Sequence, residues 1–141
     1  MTAIDHPIAR VAPGWRLFAV FLALHGIAHL AGTTNSFDMA TKGQTAEYLG
    51  GAWRVSDFTV LRPIGVAWAI VAGLYVGAAL GFWVGARWRV AILVVATVPS
   101  LLLSVIALWA SWIGVMIDVA LLGVAVWLST RKEQVSDPDR R

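Results

Sequence analysis

The sequence predicts an all-α integral membrane protein, a four-helix up-down bundle with both termini in the cytoplasm. Three observations carry that prediction: a lipid-like composition, four apolar stretches of spanning length, and a lopsided distribution of Lys and Arg. Of 141 residues, 59% are hydrophobic and only 13% charged, with a mean hydropathy of +0.75. A soluble domain is about half apolar and a quarter charged. The length is that of a single domain, assigned to 1–132, followed by a polar tail over 133–141 that is expected to be disordered.

A spanning helix needs about 20 mostly apolar residues. The stretches that qualify run from Trp15 to Gly32, Pro63 to Trp83, Val90 to Trp109 and Trp112 to Ser129. They must be helices, because lipid offers no partner for a bare backbone N–H or C=O. A cleaved signal peptide is the rival reading of the first stretch, with Arg10 and Arg16 as its basic region. Two histidines inside the apolar segment oppose it.

Orientation follows from charge, since cytoplasmic loops are enriched in Lys and Arg. Arg10, Arg16, Arg87, Arg89, Arg131, Lys132, Arg140 and Arg141 fall on one face, and only Lys42, Arg54 and Arg62 on the other. Both termini are therefore predicted inside, in a cell membrane. Tryptophans mark the edges, as indoles favour the headgroup region. Trp15, Trp83, Trp88 and Trp127 lie at inner ends, Trp53, Trp109 and Trp112 at or beyond outer ends, and Trp68 well within a span.

The second stretch carries small residues at every fourth position: Gly65, Ala69, Gly73, Gly77, Gly81 and Gly85. Such a stripe lets helices approach closely in lipid. Packing within the bundle is preferred over a homo-oligomer interface. Pro99, mid-way along the third stretch, frees a carbonyl and predicts a kink. Ala110 and Ser111 form a tight link between the last two helices. The 33–62 segment is long for a connection and, with Phe37, Tyr48, Leu49 and Trp53, too apolar for a tether. It is expected to be a partly ordered outer loop with a short helix around Thr45–Leu49. Asp57 and Arg62 are expected to be able to pair at its edge, as a solvated contact of little energetic weight.

Three ionisable residues lie inside spans, where charge is costly and therefore marks function by default. His29, His25 and Asp118 sit about 6, 12 and 10 Å below the outer ends of their helices, at about 1.5 Å per residue. Ser104, Ser100 and the Trp68 N–H fall in or near the same slab, while the inner half offers only Tyr75 and Thr97. His25 and His29, at i and i+4, share one helix face. Three readings stay open. Asp118 and the histidines can hold helices together, handle protons or ions, or ligate a divalent metal with open positions. The leading expectation is a non-enzymatic membrane protein, alone or as a subunit of a larger complex, that binds a small ligand or ion in an outward-facing pocket formed by His25, His29, Asp118, Ser104 and Trp68. A metal- or quinone-linked redox subunit and a purely structural partner are the alternatives. No particular cofactor is indicated. The chain has no cysteine, which excludes disulfides and thiol chemistry. It also lacks a nucleotide-binding loop, a Ser/His/Asp set and a basic nucleic-acid patch.

The run Phe21-Leu22-Ala23-Leu24-His25-Gly26-Ile27-Ala28-His29-Leu30-Ala31-Gly32 resembles the first span of DoxX-like membrane proteins, which also have four spans. In that family a Lys usually occupies the place of His29. The resemblance implies a bacterial membrane protein, in some members tied to quinone-linked redox complexes. It carries over only His25, Gly26 and Gly32, with no catalytic role.

Overall fold

The computed structural model describes residues 12–136. Four helices follow one another, α1 (Pro13–Lys42), α2 (Phe58–Val84), α3 (Arg89–Ile106) and α4 (Leu108–Ser136), with a small hairpin of β1 (Ala46–Tyr48) and β2 (Trp53–Val55) between the first two. All four helices are long and apolar enough to cross a membrane, α4 over Ala110–Arg131. Their outer surfaces fit lipid. Leu17, Leu24, Ile70, Leu80, Leu102 and Met116 are all more than half exposed, a pattern that water would not tolerate on this scale.

The helices pack antiparallel in sequence, α1 on α2, α2 on α3 and α3 on α4. Towards the chain termini the core is apolar, with Leu22, Phe82, Leu93 and Ala125 completely buried. Arginines cover that end by lying over aromatic rings: Arg16 over Trp83, Arg89 over Trp15 and Phe82, and Arg131 over Trp127. Cation–π contacts of this kind let a charge rest on an aromatic face at the end of an apolar core.

The opposite end departs from expectation. The 33–62 segment is not mainly loop. α1 continues ten residues past Gly32, with Ser36 and Ala40 buried on its inner side; Thr34 and Thr41 return their hydroxyls to carbonyls of the preceding turn and Lys42 pairs with Asp38 at 2.8 Å. Gly43 then ends the helix in the left-handed conformation, φ 63°, which glycine adopts without steric cost. α2 also starts early, at Phe58, with Asp57 as its N-cap. Between them the expected helix at Thr45–Leu49 is replaced by a strand. Ala46 and Tyr48 point inward and Glu47 outward, pairing antiparallel with Val55, Trp53 and Arg54. Alternation and a Gly50-Gly51 turn won over helix propensity. Tyr48, Val55, Ala40 and Leu61 form a second, small core beneath the hairpin, joined by Ile106 and Ala107. α3 runs through Pro99 and ends at Ile106, so the turn into α4 precedes Ala110, and Ser111 is the non-helical residue. α4 persists to Ser136, beyond the boundary set at 132, and the rest of the tail lies outside the described residues.

Two predictions arise here. Leu49 has φ 51°, a conformation costing a non-glycine residue about 1 kcal/mol. Leu49→Gly should therefore leave the protein as stable or up to about 1 kcal/mol more stable, measured by denaturant titration in detergent. Asp57 and Arg62 do not pair. Asp57 accepts from the Thr59 N–H and hydroxyl, both at 2.8 Å, and Arg62 lies over the Phe58 ring. The Thr59 amide bond, and then its hydroxyl bond, hold the Asp57 carboxyl below its ordinary value of 3.8. A depressed folded value means the cap's contribution is complete above the unfolded value and is lost as pH falls through the folded one. Amide exchange at Thr59 should accelerate below about pH 4. In Asp57→Asn that acid-dependent step should vanish.

Candidate functional site

The four helices converge on one carboxylate. Asp118, on α4, is fully buried. Its Oδ1 accepts from the Tyr75 hydroxyl at 2.7 Å and lies 3.1 Å from His25 Nε2. Its Oδ2 accepts from Ser100 Oγ at 2.7 Å and, more weakly, from Ser104 Oγ at 3.4 Å. Ser100 Oγ also meets His29 Nε2 at 3.0 Å. Thus α1 supplies two imidazoles, α2 a phenol and α3 two hydroxyls.

Local structure explains the convergence. His25 and His29 stand one above the other on α1, as residues four apart do, with ring centroids 4.7 Å apart. Thr97, Ser100 and Ser104 recur on one face of α3 and are all completely buried. Thr97 donates to the Leu93 carbonyl and is 3.4 Å from the Tyr75 hydroxyl. α1 approaches α2 closely enough to bring Tyr75 between the helices. A Cβ on Gly26 would lie 2.9 Å from the Tyr75 Cβ. Both histidine rings pack against the Tyr75 ring, with centroids 4.7 and 5.4 Å away.

With Asp118 ionised, the hydrogen-bond pattern sets the proton positions. A hydroxyl has one proton to give. Ser100 gives its proton to Asp118, so its oxygen is the acceptor for His29, and His29 carries a proton on Nε2. His25 likewise presents Nε2–H to Oδ1. The result is a continuous chain, His29 to Ser100 to Asp118 to His25. Charge balance adds a constraint. A carboxylate with two neutral imidazoles is a buried net negative charge, which is costly. One additional proton shared within the chain makes the cluster neutral.

The structure brings together His25, His29, Asp118 and Ser104. It places Trp68 there by a different contact, since its ring stacks on His29 at 5.2 Å and closes the side of the site. Ser100 is more central than Ser104. Tyr75 and Thr97, expected apart in the inner half, join the network. The one signal for them in the sequence is that Thr97, Ser100 and Ser104 follow a helical repeat. Of the α2 stripe, Gly65 packs on Phe37 and Gly81 on Trp88, Gly77 lies near Ile92, Ala69 is half-buried, and Gly73 is exposed with nothing within 4 Å. The stripe is thus split between contacts with α1, α3 and the surface.

One ligand atom from each of His25, His29 and Asp118 lies within 4.8 Å of the others. A single divalent ion at about 2.0–2.2 Å from each would require both imidazoles to release their Nε2 protons and His29 to part from Ser100. Metal-bound histidines also usually donate the other ring N–H to an acceptor, and among the described residues neither Nδ1 has one. The donor set fits a proton better than a metal.

No protein-family model matches the chain, and no characterised protein and no solved structure is similar enough to match it. The likeness of the first span to DoxX-like proteins therefore stands on the residues quoted above alone.

Proposed function

We propose that this is a multi-pass membrane protein that binds and exchanges a proton at the Asp118–His25–Ser100–His29 chain. What supports the reading is a completely buried carboxylate joined through hydrogen bonds to two imidazoles, the side chain whose charge changes near neutrality. Intramembrane ionisable groups arranged in this way are typical of ion and proton pathways. The Lys and Arg bias supports both termini in the cytoplasm, which makes the hairpin end the outer face of a cell membrane. The protein carries out no bond-making chemistry in this reading. It acts as a proton-linked component of a larger bacterial membrane complex, as the DoxX-like resemblance of α1 implies.

Infrared difference spectra of the protein in lipid nanodiscs test it. Between about pH 4 and about pH 9, a carboxyl band assigned to Asp118 should appear and disappear reversibly, and be missing in Asp118→Asn. An unchanging spectrum would sink the proposal. The compactness of the three ligand atoms favours a second reading, a bound divalent metal. Cobalt(II) titration decides between them: a one-to-one visible spectrum lost in His25→Ala with His29→Ala would install the metal reading.

A further inference from the structure

α1 carries more polar groups on its inner face than the proton chain uses. One turn beyond His29 is Thr33, whose Oγ1 is buried and has no hydrogen-bond partner among the described residues. Buried hydroxyls almost always have one, from protein or water. Next along the same helix is Ser36, 4% exposed. Ser36 lies beside Tyr48, the hairpin tyrosine whose phenol is pushed up by burial. The order His25, His29, Thr33, Ser36, Tyr48 therefore leads from the buried carboxylate to the hairpin end. In the other direction the polar groups stop at Thr97. Beyond it Leu22, Phe82, Leu93 and Ala125, all completely buried, fill the core with no polar side chain among the described residues.

We infer that the site exchanges its proton only with the hairpin-end face, through a water held at Thr33 Oγ1 that hands the proton to His29. This rests on the proton-binding reading above and adds its direction and its first acceptor. The groups facing the carboxylate are His25 and His29 from α1, Tyr75 from α2 and the hydroxyls of Thr97, Ser100 and Ser104 from α3. Of these imidazoles and carboxylate, His29 is nearest the hairpin end; both imidazoles keep slight exposure, 7% at His25 and 6% at His29, while Asp118 keeps none. The transfer balances. As the water takes a proton from the hairpin side it gives one to His29 Nδ1, the Nε2 proton passes to Ser100 Oγ, and the Ser100 hydroxyl proton moves to Asp118 Oδ2. His29 is left neutral with its proton on Nδ1, and rotation of the ring or reversal of the chain resets it. The apolar plug of Leu22 and Leu93 leaves no corresponding relay towards the termini.

Two measurements test the inference. The first is the rate of the Asp118 carboxyl response after a pH jump. Thr33→Val keeps the shape and removes the hydroxyl. It should slow the response about tenfold, the effect of one lost hydrogen bond at the transfer step, and leave its final amplitude unchanged. Thr33→Ser should restore the rate. The second uses the cysteine-free background. In proteoliposomes, Thr33→Cys and Ser36→Cys should react with a charged methanethiosulfonate added on the hairpin side, and Leu22→Cys and Leu93→Cys should resist it from both sides. A Thr33→Val protein responding at the parental rate, or a Leu93→Cys protein labelled as fast as Thr33→Cys, would overturn the one-sided route. Failure of the proton-binding reading itself looks different: the parent and Asp118→Asn would then give the same spectra at every pH.

Discussion

Asp118→Asn should produce the largest loss of any conservative substitution in the chain. The carboxylate is isosteric with the amide, so packing is preserved and the effect is one of hydrogen bonding and charge. Asp118 presents two acceptor oxygens to a ring of donors: Tyr75 and His25 on Oδ1, Ser100 and Ser104 on Oδ2. An amide can match only one side. With its oxygen towards Tyr75 and His25, its NH₂ faces the two serine hydroxyls, and Ser100 must reverse. Ser100 then donates to His29 or loses that bond, and in either case the amide presents no oxygen to the serines, so no proton can pass from Ser100 to position 118. Removing one partner of a buried charged network costs about 3–5 kcal/mol in soluble proteins. Side-chain bonds in membrane bundles average less, about 0.6 kcal/mol and at most about 1.7 each. With two of the bonds disrupted, a loss of about 1–3 kcal/mol in denaturant titration is expected, together with complete loss of the carboxyl response. Tyr75→Phe removes one donor and leaves the Ser100 bridge intact. It should cost about 1 kcal/mol and keep the response. If the two variants were equally stable and equally responsive, the carboxylate would be helix glue and nothing more.

How much of this was legible in the sequence differs between the two ends of the bundle. Four apolar segments were visible because lipid demands long uninterrupted helices, and the boundaries facing the termini were marked by Trp15, Trp83 and Trp88. The hairpin end was misread. Thr33, Thr34, Asn35 and Ser36 lower the hydropathy and suggested that α1 stops at Gly32. Hydropathy measures the fit to lipid, whereas α1 stays helical past its most apolar stretch, where Ser36 and Ala40 are still buried. His25, His29 and Asp118 stand out by their cost alone, and counting residues from the hairpin-end boundaries of their apolar stretches puts them at similar levels. Their partners were harder. A serine, threonine or tyrosine in a span is too cheap to stand out, so Ser100 ranks beside Ser104, and nothing in the sequence joins Tyr75 to the carboxylate that its hydroxyl reaches. Which hydroxyl meets the carboxylate depends on helix rotation, and a single sequence leaves that angle unfixed when its outer face is uniformly apolar.

Rotation also decides which glycines matter, and Gly26→Leu should be the most disruptive substitution outside the proton chain. The regular stripe on α2 drew attention, yet Gly73 in its centre meets nothing, while Gly26 on α1 has no room at all. A Cβ there would sit 2.9 Å from the Tyr75 Cβ and 3.0 Å from the Ala72 carbonyl oxygen. The first contact is the root of a completely buried side chain and the second is helix backbone, so neither can swing away. Alanine at 26 must push α1 from α2 by a few tenths of an ångström, for which overpacking data suggest about 1–3 kcal/mol. A leucine needs several times that displacement. It should prevent assembly, seen as loss of a monodisperse peak in detergent chromatography. The damage should reach the site even in the milder variant. His25 precedes Gly26, and Tyr75 is the residue it displaces, so both partners of Asp118 Oδ1 move apart together. Gly26→Ala should therefore weaken the carboxyl response as well as stability. Gly73→Ala, with nothing within 4 Å of its Cβ, should leave the response intact and stabilise α2 by up to about 1 kcal/mol through helix propensity. If Gly73→Ala were the damaging change and Gly26→Ala the silent one, the α1–α2 register that builds the site would be wrong.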